Sequence, residues 1–293
     1  MAEVVSGAKP ISRPVARAGR WRKRTKFLVR ELAPLLVTLL FVFPFLVMLS
    51  TSFKPDTESF SIPPRLWSDN WIIDNYQRVF DAMPFWRYLR NTLFLSVMAV
   101  IGTLLSCPLV AYSLAKIRWR GRNVLFILIL STMMLPPQVT MIPIFIMWNK
   151  TPFMGTYWPL IVPNFLGTAF FIFLLRQFFR AIPNDLLDAA RVDGASELRI
   201  YFNIVLPLSR AALATVGLFA FVWTWVDFLN PLIYLSDASK YTLSIGLYAF
   251  FSEHGIEWGP LMAACAIFSL PLVVIFIFAQ RQLIEGISLT GLK

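Results

Sequence analysis

Six runs of apolar residues, at approximately 31–51, 91–115, 123–147, 158–179, 211–235 and 259–280, each have the roughly 20 residues that a helix needs to cross a bilayer. In hydrocarbon every backbone amide must find its partner inside the protein, so such runs fold as helices. Composition agrees: 57 % of the 293 residues are hydrophobic and 15 % are charged, against about 25 % charge in an ordinary soluble domain. The first run is too long for a signal-peptide core, and no small-x-small cleavage site follows it. It is therefore expected to be a retained span that also directs insertion. The fold class that follows is an all-α polytopic membrane protein with six transmembrane helices.

Orientation comes from the basic residues. Residues 1–30, the 116–122 loop, the 176–210 region and the C-terminal tail hold 20 Lys and Arg, while residues 52–90, 148–157 and 236–258 hold seven. The positive-inside rule places the first set in the cytoplasm, with both termini inside. Three regions result: a basic N-terminal segment (1–30), a six-span domain (31–280) carrying a cytoplasmic loop at 183–210, and a tail (281–293). The basic stretch "RPVARAGRWRKRTKFLVR" (13–30) is read as topogenic charge touching anionic membrane lipid, not as a nucleic-acid site, since no base-stacking module accompanies it.

Several chemistries are not supported by the residues. The single histidine, His254, sits in an outer loop with no second His or Cys near it to complete a metal site, and no Ser-His-Asp or Cys-His set is available at the inner face. Asp185 and Asp188 form a D-x-x-D pair, but Arg191 and Arg199 interleave with the neighbouring carboxylates, so an acidic helix start is the better account. Cys107 and Cys265 both fall inside spans and read as small buried hydrophobes. No G-x-x-x-x-G-K-[ST] stretch exists, so no nucleotide is expected on this chain. No catalytic residue, metal or bound cofactor is expected. Energy for uphill transport has to arrive from a partner or an ion gradient.

The 183–210 loop is longer than a connection requires. Pro183-Asn184-Asp185 ends the fourth span and offers Asp185 as an N-cap, with Asp188 in capping-box register. "LLDAARV" makes about two helical turns, with Leu186, Leu187, Ala190 and Val192 as its apolar contacts, and Asp193-Gly194 stops it. Ser196 caps a second helix on which Leu198, Tyr201, Phe202 and Val205 form one apolar stripe, and Pro207 limits it. Small Ala189, Ala190 and Ala195 surround the bend. The expectation is a cytoplasmic helix-turn-helix between spans four and five. An amphipathic hairpin on the lipid surface would prefer a strongly basic polar face; the mixed charge favours docking to a protein.

These residues carry a resemblance. "DAARVDGASELRIYFNIVLP" (188–207) resembles the E-A-A-x-x-D-G-A … hydrophobic-Leu-Pro pattern of the integral-membrane subunits of binding-protein-dependent ABC importers, matching at Ala189, Ala190, Asp193, Gly194, Ala195, Leu206 and Pro207. It departs at Asp188, where the family usually has Glu. The stretches "TSFKP" (51–55), "NYQRVF" (75–80), "YLRNTLFLS" (88–96), "AYSLAKIRWRGR" (111–122), "MMLPPQVTMIPIF" (133–145), "PLIYL" (231–235) and "QRQLIEGISLTGLK" (280–293) are similar to the carbohydrate branch, of the maltose-transporter type. In "WVDFLNP" (225–231), Val226 replaces a frequent Asn, which removes any role given to that Asn.

The resemblance implies a non-catalytic permease subunit of the prokaryotic cell membrane. Its partners would be a second homologous permease, two copies of a cytoplasmic P-loop ATPase that holds the ATP and Mg, and an extracytoplasmic binding protein that delivers a sugar. The loop, at Asp188, Ala189, Ala190, Asp193, Gly194, Ala195, Leu206 and Pro207, would couple to the ATPase. The tail "EGISLTGLK" is similar to tails that reach toward the ATPase, a frayed chain end being the alternative.

Candidate pathway residues come from the spans themselves. Pro136-Pro137 frees backbone carbonyls that in hydrocarbon must be buried or line a wet cavity, which points to Gln138 and Thr140 beside them. Asp227 and Asn230 are the polar pair of the fifth span, and an ionisable residue within a span is a functional candidate; a place at the outer end, meeting water or an internal partner, is the alternative for Asp227. Trp223 and Trp225 offer faces for a sugar, or belong to an interfacial belt. The competing function is a stand-alone secondary transporter of a small solute. That reading calls for internal repeats and charged relays in several spans, and only Asp227 is present as such a group.

Overall fold

The computed structural model describes residues 18–59, 66–252 and 255–290. Helix α1 (Ala18–Ser52) leads through a short α2 (Asp74–Ala82) into α3 (Phe85–Ala115). There follow α4 (Arg122–Thr132), α5 (Pro137–Asn149), α6 (Trp158–Phe165) and α7 (Ala169–Ala181). The long loop forms α8 (Asn184–Val192), α9 (Glu197–Ile200), a π-helical turn at Tyr201–Val205 and α10 (Leu206–Leu208). The chain ends with α11 (Arg210–Val226), α12 (Leu229–Tyr234), α13 (Leu243–Gly246) and α14 (Trp258–Thr290). The strands among the described residues are a two-residue antiparallel pair, β1 (Phe251–Ser252) with β2 (Gly255–Ile256). His254 and residues 1–17 and 291–293 lie outside the described residues.

Four helical stretches, Leu32–Ser52, Phe85–Ala115, Trp158–Ala181 and Trp258–Gln280, are individually long and apolar enough to cross a membrane. The number rises to six if each of two bent pairs counts as one span. The third apolar run is thus not the continuous helix expected over 123–147: α4 and α5 meet at 96°. Two adjacent prolines explain the break. The residue before a proline avoids the helical region, and Pro136 accordingly sits at φ −59°, ψ 134°, while Pro137, lacking an N–H, opens α5. The fifth run also breaks, at Asp227 (φ −66°, ψ 119°), before α12 resumes. The fourth is interrupted between α6 and α7, where Gly167 adopts φ +91°. At the ends, α1 passes unbroken through residue 30 and α14 runs past residue 280.

Helix α3 is the spine, packing against α11, α7 and α6, while α1 lies against α14. Close approach needs small residues. At Gly102 an added Cβ would lie 2.6 Å from the Phe165 ring. Replacing Gly102 with Val is expected to cost about 1–3 kcal/mol by overpacking, read as a lower thermal midpoint of the detergent-solubilised chain; an unchanged midpoint would show that α6 moves aside freely.

The side chains of α3 also pair irregular backbone, both at the break between α6 and α7 and in the 236–258 region. Ser106 Oγ lies 3.0 Å from the Asn164 carbonyl, and the Thr168 amide donates to Cys107 Sγ at 3.3 Å. Asn91 donates to the Ser239 and Tyr241 carbonyls (3.0 and 2.9 Å), and the Leu243 amide donates to Thr92 Oγ1 (2.9 Å). Irregular backbone within a membrane bundle survives where protein satisfies it. Cys107, buried and free, therefore accepts a hydrogen bond as well as filling space.

Two apolar cores result. One joins Val79 of α2, Phe85 and Tyr88 of α3, Phe221 and Trp225 of α11, and Leu261 and Ala264 of α14. The other joins Cys107, Ala111 and Leu114 of α3, Phe171, Leu175 and Phe179 of α7, and Val216 of α11 with Leu187, Ile200 and Val205 of the long loop. The loop is part of the bundle's core.

Candidate functional site

The bend of the loop is built by local rules. Gly194 has φ +78°. The Gly194 amide donates to the Arg191 carbonyl (3.0 Å) and the Ala195 amide to the Ala190 carbonyl (2.9 Å), the paired bonds of a Schellman helix end. Ala190 and Ala195 both pack against the core beneath. Ser196 then caps α9, its hydroxyl accepting from the Arg199 amide at 3.3 Å.

Three expectations for the loop are corrected. Asp185 is not the N-cap of α8: Pro183 holds that position without a side-chain bond, and Asp185 falls in the first turn. The second helix does not bury Leu198 and Phe202, which are 65 % and 58 % exposed, whereas Ile200, Tyr201 and Val205 are buried. The π-helical turn at Tyr201–Val205 shifts the helical phase and splits the expected stripe, with Tyr201 and Val205 turned inward beside Ile200 and Leu198 and Phe202 turned outward. Nor does Pro207 stop that helix. It lies within the first turn of α10, and the chain bends by 80° one step later, between Leu208 and Arg210. Leu206 packs against the core, and Pro207 is exposed.

Charged side chains lock the bend and tie it to α3. Arg191 donates to Asp188 Oδ1 (2.5 Å) and, across the bend, to Glu197 Oε1 (2.8 Å). The other Glu197 oxygen accepts from the Tyr112 hydroxyl of α3 at 2.6 Å. Lys116, just past α3, donates to the Ile182 carbonyl (2.5 Å) and to Asn184 Oδ1 (2.8 Å). Asp188, the departure from the family's Glu, is thus engaged with Arg191, while Ala189, Asp193 and Gly194 face outward. The hydrogen bond from Arg191 holds the Glu197 carboxyl below the usual carboxylate range, against the opposing effect of burial. Its contribution is complete above the ordinary carboxylate value of about 4.3 and is lost as pH falls through the depressed one. Protease resistance of the loop is therefore expected to be flat from pH 8 to roughly 5; a loss near neutrality would point to a different anchoring group.

The second site is a cavity of about 510 Å³ between α5, α6, α11 and α12. Its walls bring together Gln138 and Thr140 of α5, Asp227 at the break after α11 and Asn230 of α12, with Asn164, Trp223 and Tyr234. Both breaks contribute: the Pro136-Pro137 break starts α5 at the cavity, and the Asp227 break leaves that carboxylate at its wall. The Asn230 backbone and side-chain amides donate to the two Asp227 oxygens (3.2 and 2.9 Å). The Ser244 hydroxyl donates to the Asp227 carbonyl at 2.6 Å.

Trp225 lies elsewhere. It is 1 % exposed, stacks on Phe221, and its indole N–H donates to the Phe268 carbonyl at 3.1 Å. Trp223 lines the cavity in its place. Residues two apart on a helix face opposite ways, and residues four apart share a face, so the spacing from Trp223 to Asp227 carries this signal in the sequence. Tyr112 and Lys116 carry no comparable signal.

Residues 105–288 match the family model described as the binding-protein-dependent transport system inner membrane component. The chain is 34 % identical over 255 residues to the arabinooligosaccharides transport system permease protein AraQ of Halalkalibacterium halodurans, covering 86 % of this chain and 91 % of that protein. It is 32 % identical over 257 residues to the sn-glycerol-3-phosphate transport system permease protein UgpE of Yersinia enterocolitica, covering 85 % and 91 %. A chain of a bacterial ABC transporter involved in the import of the acidic polysaccharide alginate shares the fold, with a TM-score of 0.73, 24 % identity, and coverage of 93 % and 99 %.

Proposed function

This chain belongs to the inner-membrane components of binding-protein-dependent transport systems, and from that premise we propose how its parts divide the work. It is a multi-pass permease subunit of an ABC importer. In the proposed assembly, six crossings leave both termini in the cytoplasm: the bent α4–α5 pair makes one, and α11 makes another with α12 after it, the Glu197–Leu208 stretch before it staying in the cytoplasmic loop. A second homologous permease completes the pathway. Two copies of a P-loop ATPase, carrying the ATP and Mg, dock on α8 and α9, and an extracytoplasmic binding protein delivers a sugar or oligosaccharide.

The observation that carries the coupling role is the division of the loop's apolar residues. Leu187, Ile200, Tyr201 and Val205 are buried in the bundle core, while Leu186, Val192, Leu198 and Phe202 stay exposed, Val192 at 88 %. A helix rooted in the core on one side and apolar on the other transmits a rigid-body push when a partner covers it. The mixed-sign lock of Asp188, Arg191 and Glu197 favours a protein partner over a lipid surface.

Mild-detergent capture of the tagged chain from its own cells, followed by mass spectrometry, tests the assembly. Recovery of a P-loop ATPase and a second permease is expected, and the ATPase should be lost when residues 188–195 are scrambled without loss of membrane insertion. Recovery of the chain alone, moving solute in liposomes without ATP, would establish the secondary-transporter reading instead.

A further inference from the structure

Resting on the reading of the cavity as part of the pathway, we infer that this importer carries an uncharged, hydroxyl-rich saccharide and rejects phosphate esters and uronates. Among the described residues the cavity wall contains one carboxylate, Asp227, and no lysine, arginine or histidine. Among the described residues Asp227 forms no ion pair; its partners are the neutral amides of Asn230. Those amides orient both carboxylate oxygens and leave each a further lone pair, a bidentate acceptor for two neighbouring hydroxyls. Around it stand uncharged hydrogen-bonding groups, Gln138, Thr140 and Asn164, and the exposed indole of Trp223.

An anionic solute meets the opposite conditions. A phosphate or carboxylate about 5 Å from Asp227, at an effective dielectric near 20, loses on the order of a hundredfold in occupancy. Nothing on this wall offsets that loss, although recognition of such anions ordinarily relies on arginine or lysine. The chain does place cations together elsewhere: Arg87, Arg90 and Lys240 line a separate cleft that shares no lining residue with the cavity. Relatives of similar overall sequence carry names that span both classes, arabinooligosaccharides and sn-glycerol-3-phosphate, so overall identity does not choose between them. The charge of the wall does.

The test compares cells holding the intact importer with cells lacking this chain. Both are fed one mixture of neutral oligosaccharides, uronate oligosaccharides and glycerol 3-phosphate, and depletion is followed by mass spectrometry. Chain-dependent depletion confined to uncharged saccharides is the expected result. Chain-dependent uptake of glycerol 3-phosphate or a uronate overturns the inference and leaves the importer function standing, whereas no chain-dependent depletion of any solute overturns both. In the same cells Asp227→Asn is expected to slow uptake of the neutral saccharide about tenfold, the worth of one hydrogen bond to a charged group, and Asp227→Glu is expected to retain more of it. Rates are taken per amount of assembled complex in the membrane, so a folding defect registers separately. An unchanged rate in Asp227→Asn removes the carboxylate from the pathway and the inference with it.

Discussion

Gly194→Val is expected to abolish ATP-driven uptake while the chain still inserts into the membrane. Gly194 has φ +78°, and an added Cβ would meet nothing within 4 Å, so the penalty is conformational and involves no clash. An L residue in the left-handed region costs roughly 1–2 kcal/mol, and a β-branched one resists it most. The Schellman bonds from Gly194 and Ala195 would be strained first. With them goes the angle between α8 and α9, on which the proposed coupling depends. A graded series separates this cause from a general loss of structure. Gly194→Asn should be mildest, because Asn tolerates the left-handed region, Gly194→Ala intermediate and Gly194→Val most severe. Normal uptake in the valine variant would show that the bend angle does not matter for coupling.

Leu187→Ala is expected to have a comparable functional effect by another route. Leu187 is 1 % exposed and roots α8 in the core shared with α3, α7 and α11. Truncating a buried leucine costs about 2–5 kcal/mol when the site cannot collapse. Here α8 is short, and its other anchors are the small side chain of Ala190, the Lys116 hydrogen bonds at its start and surface ion pairs, which are individually weak. The expected result is a loop that trypsin cuts readily, an ATPase that still binds weakly, and uptake reduced at least tenfold. Leu198→Ala provides the contrast: its side chain is 65 % exposed, so protease resistance should persist while ATPase capture falls. Equal protease sensitivity in both variants would contradict the division into a rooted face and a docking face.

The sequence by itself determined those features that depend on near neighbours. The six apolar runs, the backbone carbonyls freed at Pro136-Pro137, the turn at Asp193-Gly194 and the cap at Ser196 each follow from the chemistry of a few adjacent residues. Gln138, Thr140, Asp227 and Asn230 were likewise legible as polar groups in apolar spans, although not that they share one cavity. Tertiary structure decided which faces turn inward. Leu198, Tyr201, Phe202 and Val205 form one stripe by helical periodicity, yet with the π-helical turn in place Tyr201 and Val205 pack into the core alongside Ile200 while Leu198 and Phe202 face outward. Spacing puts Trp223 on the face of Asp227 and Trp225 on the opposite one, but that the cavity lies on the first face and α14 on the second is a matter of packing. Tyr112 reaches Glu197 across 85 residues of chain. Local rules govern where helices begin, bend and end because those events involve bonds within a turn. The facing of a side chain is settled by residues far away in sequence, and only the folded bundle brings them together.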